Sequence, residues 1–300
     1  MSELRYDGRV AVVTGAGHGL GRQHALELAA RGAKVVVNDL GGDRAGVGAS
    51  AGPAQDVVEE IKKNGGEAVA NPDNVATVEG AQAVVQTALD SFGKVDIVVN
   101  NAGILRDRSF KNMSPEEFDS VIAVHLRGSF LVSSAAWPHL REQGYGRIVN
   151  TSSPAGLFGN FGQANYATAK MGLVGFTRTL GHEGAKYGIK ANAIAPVAWT
   201  RMTEDLLPAD AAAKLGVDKV TPLVAFLVHE SNESTGEVYT VGGGRVARIM
   251  VTEGPGWGKN GDLSVEDIRD NWEAINVAEP HSVFKNVAEQ MGPLNQQLRA

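Results

Sequence analysis

"RVAVVTGAGHGLGRQHALELAARGAKVVVND", residues 9–39, decides the fold. A short apolar run, "RVAVV", leads into glycines and then into a segment of helical period. In that segment Leu20, His24, Leu28 and Arg31 form one stripe and Ala25, Leu26 and Ala29 another, and Gly32 ends it. A second β-branched run, "KVVVND", follows, so the stretch predicts strand, turn, helix and strand.

The same alternation runs on through the chain. Helices are expected around 54–65, 78–93, 115–139, from about 164, and around 220–230. Strands are expected at 67–71, 95–103, 146–153, 189–196 and, last, 237–244. Apolar strands such as "VVV" and "IVV" alternating with helices predict a parallel sheet buried on both faces. With right-handed crossovers this is an α/β Rossmann-type, doubly wound sheet with helices on both faces. We expect one domain over residues 1–244 and a C-terminal extension over 245–300 packing on the domain or on a dimer partner. Within the extension Ser264 and Asp267 suit a capping box, and Ile268, Trp272 and Ile275 fall on one helical face.

Bulk properties narrow the function. A formal net charge of −6 offers no basic footprint for nucleic acid and no polybasic anchor for a membrane. The absence of cysteine excludes disulfides, thiolate catalysis and cysteine-bound metals, and no metal is expected. No apolar stretch approaches the ~18 residues of a membrane span. The charged N-terminus lacks the apolar run of a signal peptide. These features lead us to expect a cytoplasmic protein.

Glycines 15, 19 and 21 stand between the first strand and the first helix. Glycine there lets the turn form tightly and lets a pyrophosphate approach the free N–H groups of a helix N-terminus. Asp39 ends the second strand eighteen positions after Gly21, where a carboxylate can bond the adenosine ribose. It would repel a 2′-phosphate, so NAD is the expected cofactor rather than NADP.

"TGAGHGLG", "NNAG" (100–103), "TSS" (151–153), Tyr166-x-x-x-Lys170 and "AP" (195–196) occur in an order and spacing that resembles the short-chain dehydrogenases/reductases. The likeness covers roughly residues 8–244. "VVVNDLGGD", "NNAGILRDRSF", "VHLRGSF" and "GNFGQANY" are similar to its (3R)-hydroxyacyl-CoA dehydrogenase branch, found in peroxisomal multifunctional enzymes of type 2 and in single-domain bacterial relatives.

The resemblance implies Ser153, Tyr166 and Lys170 as catalytic residues. Ser153 would orient the reacting oxygen, with Ser152 the competing serine. Tyr166 would take the proton of a secondary alcohol, and Lys170, one helical turn away, would lower the tyrosine's pKa from its ordinary ~10. It also implies a cofactor site of Gly15, Gly19, Leu20, Gly21, Asp39, Asn74, Val75, Asn101, Gly103, Tyr166, Lys170, Pro196 and Thr200. Gln163, Ala164 and Asn165 belong to the likeness and receive no chemical role.

Two departures stand out. His125 occupies a helix position where many members carry asparagine, and Val197 follows Pro196 where glycine is usual.

The expected reaction is NAD-dependent oxidation of a (3R)-hydroxyacyl-CoA to the 3-ketoacyl-CoA. A 3-oxoacyl-carrier-protein reductase or hydroxysteroid dehydrogenase is the near alternative, and a non-catalytic binding or scaffold protein the distant one. Phe158, Phe161, Trp199, Leu206 and Leu207 could line an acyl channel, and Arg106, Arg108 and Arg201 could meet coenzyme A phosphates. The partners expected are an acyl-CoA-type substrate and further copies of the chain, as a homodimer or homotetramer.

Overall fold

A computed structural model describes residues 3–200, 202–203 and 212–297. The chain divides into two compact units, Met1–Arg248 and Ile249–Ala300.

The first unit is built on an eight-stranded sheet in the order β3-β2-β1-β4-β5-β6-β7-β8. The strands are β1 (Val10–Thr14), β2 (Lys34–Asn38), β3 (Glu67–Asn71), β4 (Ile97–Asn100), β5 (Gly146–Thr151), β6 (Ile189–Pro196), β7 (Val238–Gly242) and β8 (Arg245–Ile249). β1 to β7 pair in parallel, with Val12 opposite Val36 on one side and Val98 on the other. The eighth strand lies beyond the last one the sequence predicts. Only Gly243 and Gly244 connect it to β7, and so short a link admits only an antiparallel return.

Side chains alternate across the sheet because the strand period is two. Ala11, Val13, Val35, Val37, Ile97 and Val99 enter one core, against α1 (Gly19–Ala30), α2 (Gly52–Lys63) and α8 (Thr221–Val228). Val10, Val12, Val36 and Val98 enter the other, against α3 (Val78–Phe92), α5 (Gly128–Glu142) and α7 (Ala164–Gly184). With both faces covered, these strands read as unbroken apolar runs.

The helix expected over 115–139 is three pieces in sequence. α4 (Pro115–Ile122) passes into a π-helical turn, Ala123–Arg127, before α5 begins. The wide turn shifts the hydrogen-bond ladder, and Ser129 Oγ donates to the His125 carbonyl at 2.6 Å. A short helix, α6 (Pro154–Phe158), precedes α7.

The second unit carries α9 (Val265–Asp270), α10 (Trp272–Ile275) and α11 (Val287–Gln297), with β9 (Thr252–Glu253) paired antiparallel to β10 (Ser282–Val283). Ser264 and Asp267 form the capping box, but the helix expected to run on through Ile275 breaks at Asn271. No helix among the described residues is long and apolar enough to cross a membrane.

Candidate active site

β1, β2, β3, β4, β5 and β6 all end on the same side of the sheet, and the sequence-predicted residues sit just past those ends. The reversal of strand order between β1 and β4 opens a crevice there. The cleft has a volume of about 380 Å³ and is lined by Gly15, Gly19, Leu20, Asp39, Asn74, Val75, Asn101, Gly103 and Thr200, among others.

Gly15 and Gly19 hold φ of +61° and +53°, the left-handed region that favours glycine. A Cβ on Gly21 would stand 2.2 Å from the Gly15 carbonyl, so α1 packs onto the turn only because position 21 is bare. Asn101 braces the same turn, its Nδ2 donating to the Thr14 and Gly15 carbonyls, each at 3.1 Å. The start of α1 has no side-chain cap, which leaves its first-turn N–H groups at the cleft beside His18, Gly19 and Leu20.

Asp39 is half-buried at the end of β2. Its Oδ2 accepts the Gly17 N–H at 2.8 Å and its Oδ1 the Gly41 N–H at 2.7 Å. The sequence pattern passes over Gly17, yet a Cβ there would lie 2.8 Å from Asp39 Oδ2. These residues fit a dinucleotide: bare backbone at the turn, uncapped helix amides, and a carboxylate held at the far wall.

Tyr166 and Lys170 lie on α7, as their spacing predicts, with Lys170 Nζ 5.4 Å from the centre of the tyrosine ring. Lys170 is buried and donates to the Thr151 carbonyl at 2.5 Å. Ser152 is fully buried and its hydroxyl donates to the Lys170 carbonyl at 2.7 Å, a helix-anchoring contact. Ser153 caps α6, its Oγ accepting the Ala155 N–H at 3.2 Å, and it is near enough to draw the Tyr166 pKa down. Of the two serines Ser152 is sealed in the interior and Ser153 is half-buried.

Burial dominates the electrostatics of the pair in the chain alone. Desolvation pushes the half-buried Tyr166 up to about 12, outweighing the Ser153 contact that draws it down. Burial draws Lys170 down to about 7, so its ammonium is only partly charged at neutral pH. Without a cofactor, desolvation is thus the largest influence on both groups.

His125, on the π-helical turn, stands edge-on to Tyr166 with ring centres 5.2 Å apart. It is 1% exposed, and burial with the nearby Lys170 charge holds its pKa well below the ordinary range. Its Nε2 lies 3.0 Å from the Ile104 N–H and 2.8 Å from the Ile104 carbonyl, bonding one or the other according to the ring tautomer, while Nδ1 has no partner among the described residues. A Cβ on Gly103 would stand 2.2 Å from His125 Cε1, so this ring is why position 103 is glycine.

Other expected residues are less concentrated. Pro196 ends β6 outside the cleft lining, and Val197 is pinned by its N–H to the Val241 carbonyl at 2.8 Å. Phe158 and Phe161 are exposed, at 73% and 90%, and form no closed channel by themselves. Arg108 pairs with Glu117 at 3.1 Å, and Arg106 Nε donates to the Ala45 carbonyl at 3.1 Å. Arg201, Leu206 and Leu207 lie outside the described residues.

Residues 9–211 match the profile of a known protein family, short chain dehydrogenase. A Mycobacterium tuberculosis protein described as a short-chain type dehydrogenase/reductase is 55% identical over 267 residues, covering 89% of this chain and 93% of that one. Hydroxyacyl-CoA dehydrogenase ChsB1 of the same organism is 44% identical over 261 residues, covering 81% of this chain and 80% of its own. Among solved structures, full-length peroxisomal multifunctional enzyme type 2 of Drosophila melanogaster superposes with a TM-score of 0.84 at 39% identity. That match covers 99% of this chain and 50% of the fly protein, so the chain spans half the length of the multifunctional relative.

Proposed function

The chain belongs to the short-chain dehydrogenase family, oxidoreductases acting on CH–OH groups, and we propose that it oxidises a (3R)-hydroxyacyl-CoA to the 3-ketoacyl-CoA with NAD as acceptor. The observation that supports the reading is Lys170 set over the ring of Tyr166, which packs against Ile104 of the wall of the same cleft that Asp39 lines. The acyl-CoA assignment is further supported by the likeness to a hydroxyacyl-CoA dehydrogenase.

The cofactor would lie along the cleft, with Gly15, Gly19 and Leu20 at its pyrophosphate, Asp39 at the adenosine ribose, and Asn74 and Val75 beside the adenine. Asn101, Gly103, Pro196 and Thr200 would border its nicotinamide half. When bound, NAD⁺ supplies the hydride acceptor and a positive ring that favours tyrosine phenolate. Ser153 holds the reacting oxygen by its hydroxyl. Tyr166 takes the alcohol proton as the carbonyl forms. Lys170, fixed by the Thr151 carbonyl, holds the nicotinamide ribose and the ring face of Tyr166 in place.

Nicotinamide absorbance with (3R)- and (3S)-hydroxyacyl-CoA, each with NAD and NADP, tests the proposal. We expect turnover of the 3R substrate only, and kcat/KM favouring NAD by at least about tenfold, since Asp39 opposes a 2′-phosphate. Tyr166→Phe should lower kcat by about 10³-fold. A preference for NADP would shift the assignment to a 3-oxoacyl-carrier-protein reductase.

A further inference from the structure

The cleft and Tyr166 are joined by a strip of chain, residues 103–108, that leaves the end of β4. Gly103, Ile104 and Arg106 form part of the cleft wall. On one side the strip is held by the loop after β2: the Leu105 N–H donates to the Arg44 carbonyl at 3.0 Å, and Arg106 Nε to the Ala45 carbonyl. On the other it is held by the tyrosine helix and its approach. Gln163 Nε2 donates to Asp107 Oδ2 at 2.8 Å, and the Arg108 N–H to the Gly162 carbonyl at 2.8 Å.

Asn165 closes this arrangement. Its side chain is 0% exposed. Its Nδ2 donates to the Arg106 carbonyl on the strip at 2.9 Å and to the Glu117 carbonyl on α4 at 3.1 Å. Its Oδ1 accepts the N–H of Tyr166 at 2.7 Å. That N–H is one of the first-turn donors of α7 with no intrahelical acceptor. Gln163, at the cap position, provides no side-chain cap, so the amide beside it does so. Both hydrogens and the oxygen of Asn165 are thus spent on three different segments, one of them the backbone of Tyr166.

We propose that Asn165 is a positioning residue for Tyr166, fixing the tyrosine against the strip that walls the cofactor cleft. The inference rests on Tyr166 as the proton-transfer group. The separation of the Tyr166 hydroxyl from the cofactor is then set by this one side chain as well as by the run of α7. A misplacement of ~1 Å at such a group costs on the order of 10²-fold in rate.

Asn165→Asp keeps the acceptor for the Tyr166 N–H and removes both donations to Arg106 and Glu117. The expected result is a fall in kcat of about 10–100-fold. NADH affinity, by fluorescence titration, should stay within about twofold of the parent. The kinetic isotope effect with substrate deuterated at C3 should rise, because hydride transfer becomes limiting. Unchanged kcat and isotope effect would overturn the inference, and so would a joint loss of kcat, NADH affinity and melting temperature.

If Asn165→Asp does not fold, Gln163→Ala frees the strip at Asp107. It should lower kcat about 3–10-fold with unchanged NADH affinity, and unchanged kcat there would overturn the inference. Tyr166→Phe separates the two readings. Full turnover in that variant overturns the role of the tyrosine, whereas a dead Tyr166→Phe beside an unaffected Asn165→Asp overturns only the role of Asn165.

Discussion

Lys170 is tolerated in the interior at a cost that varies with pH. Burial lowers its pKa to about 7, whereas an unfolded lysine titrates near ~10.4. The folded chain therefore releases this proton before the unfolded chain does, and between those values stability rises with pH. Below the folded value both states hold the proton and the penalty is complete; above the unfolded value it is gone. Lys170→Met removes this dependence. Relative to that variant, the parent's unfolding free energy should rise by about 3 kcal/mol between roughly pH 6 and 9.5, read from urea midpoints. A difference that stayed flat across this range would mean that Lys170 titrates normally in the fold. The sequence places Lys170 beside Tyr166 but says nothing of this penalty, which comes from the packing around α7.

At the scale of elements, the turn between β1 and α1 depends on close approach. A Cβ at position 21 meets the Gly15 carbonyl at 2.2 Å, so Gly21→Ala must push α1 off the turn. We expect NADH affinity to weaken at least about tenfold, with the fold retained by circular dichroism; unchanged affinity would remove the turn from the cofactor site. This element was legible because the glycines fall between the first strand and the first helix, where a turn must bring backbone close. β1 to β7 were legible for a similar reason, since strands covered on both faces must be apolar throughout.

The π-helical turn was not legible. His125 fits an ordinary helical period, and one extra residue per turn leaves no compositional mark. Gly17 escaped notice because its partner, Asp39, reaches it only through the parallel register of β1 and β2. Asn165 reads from sequence as a polar residue near a helix start. Its acceptors, Arg106 and Glu117, are 59 and 48 positions away, beyond any local pattern.

At the scale of the whole molecule, the second unit raises the question of assembly. None of its described residues is fully buried, and Leu263, Val265, Trp272 and Val287 are 58%, 81%, 58% and 76% exposed. Fifty-two residues without a core of their own need other surface to cover their apolar side chains. Light scattering of the full chain should therefore give a mass at least twice 31.5 kDa; a monomer at micromolar concentration would rule out the expected homodimer or homotetramer.

β8 bears on how such copies can meet. An outermost strand offers unpaired backbone groups to any strand that approaches. Here that border carries Arg245 and Arg248, the latter tied to Glu237 at 2.7 Å. Two molecules aligning these borders would crowd the Arg245 charges of the two strands, a device that opposes edge-to-edge pairing. The exposed border of this sheet is thus guarded by charge against growth into fibres.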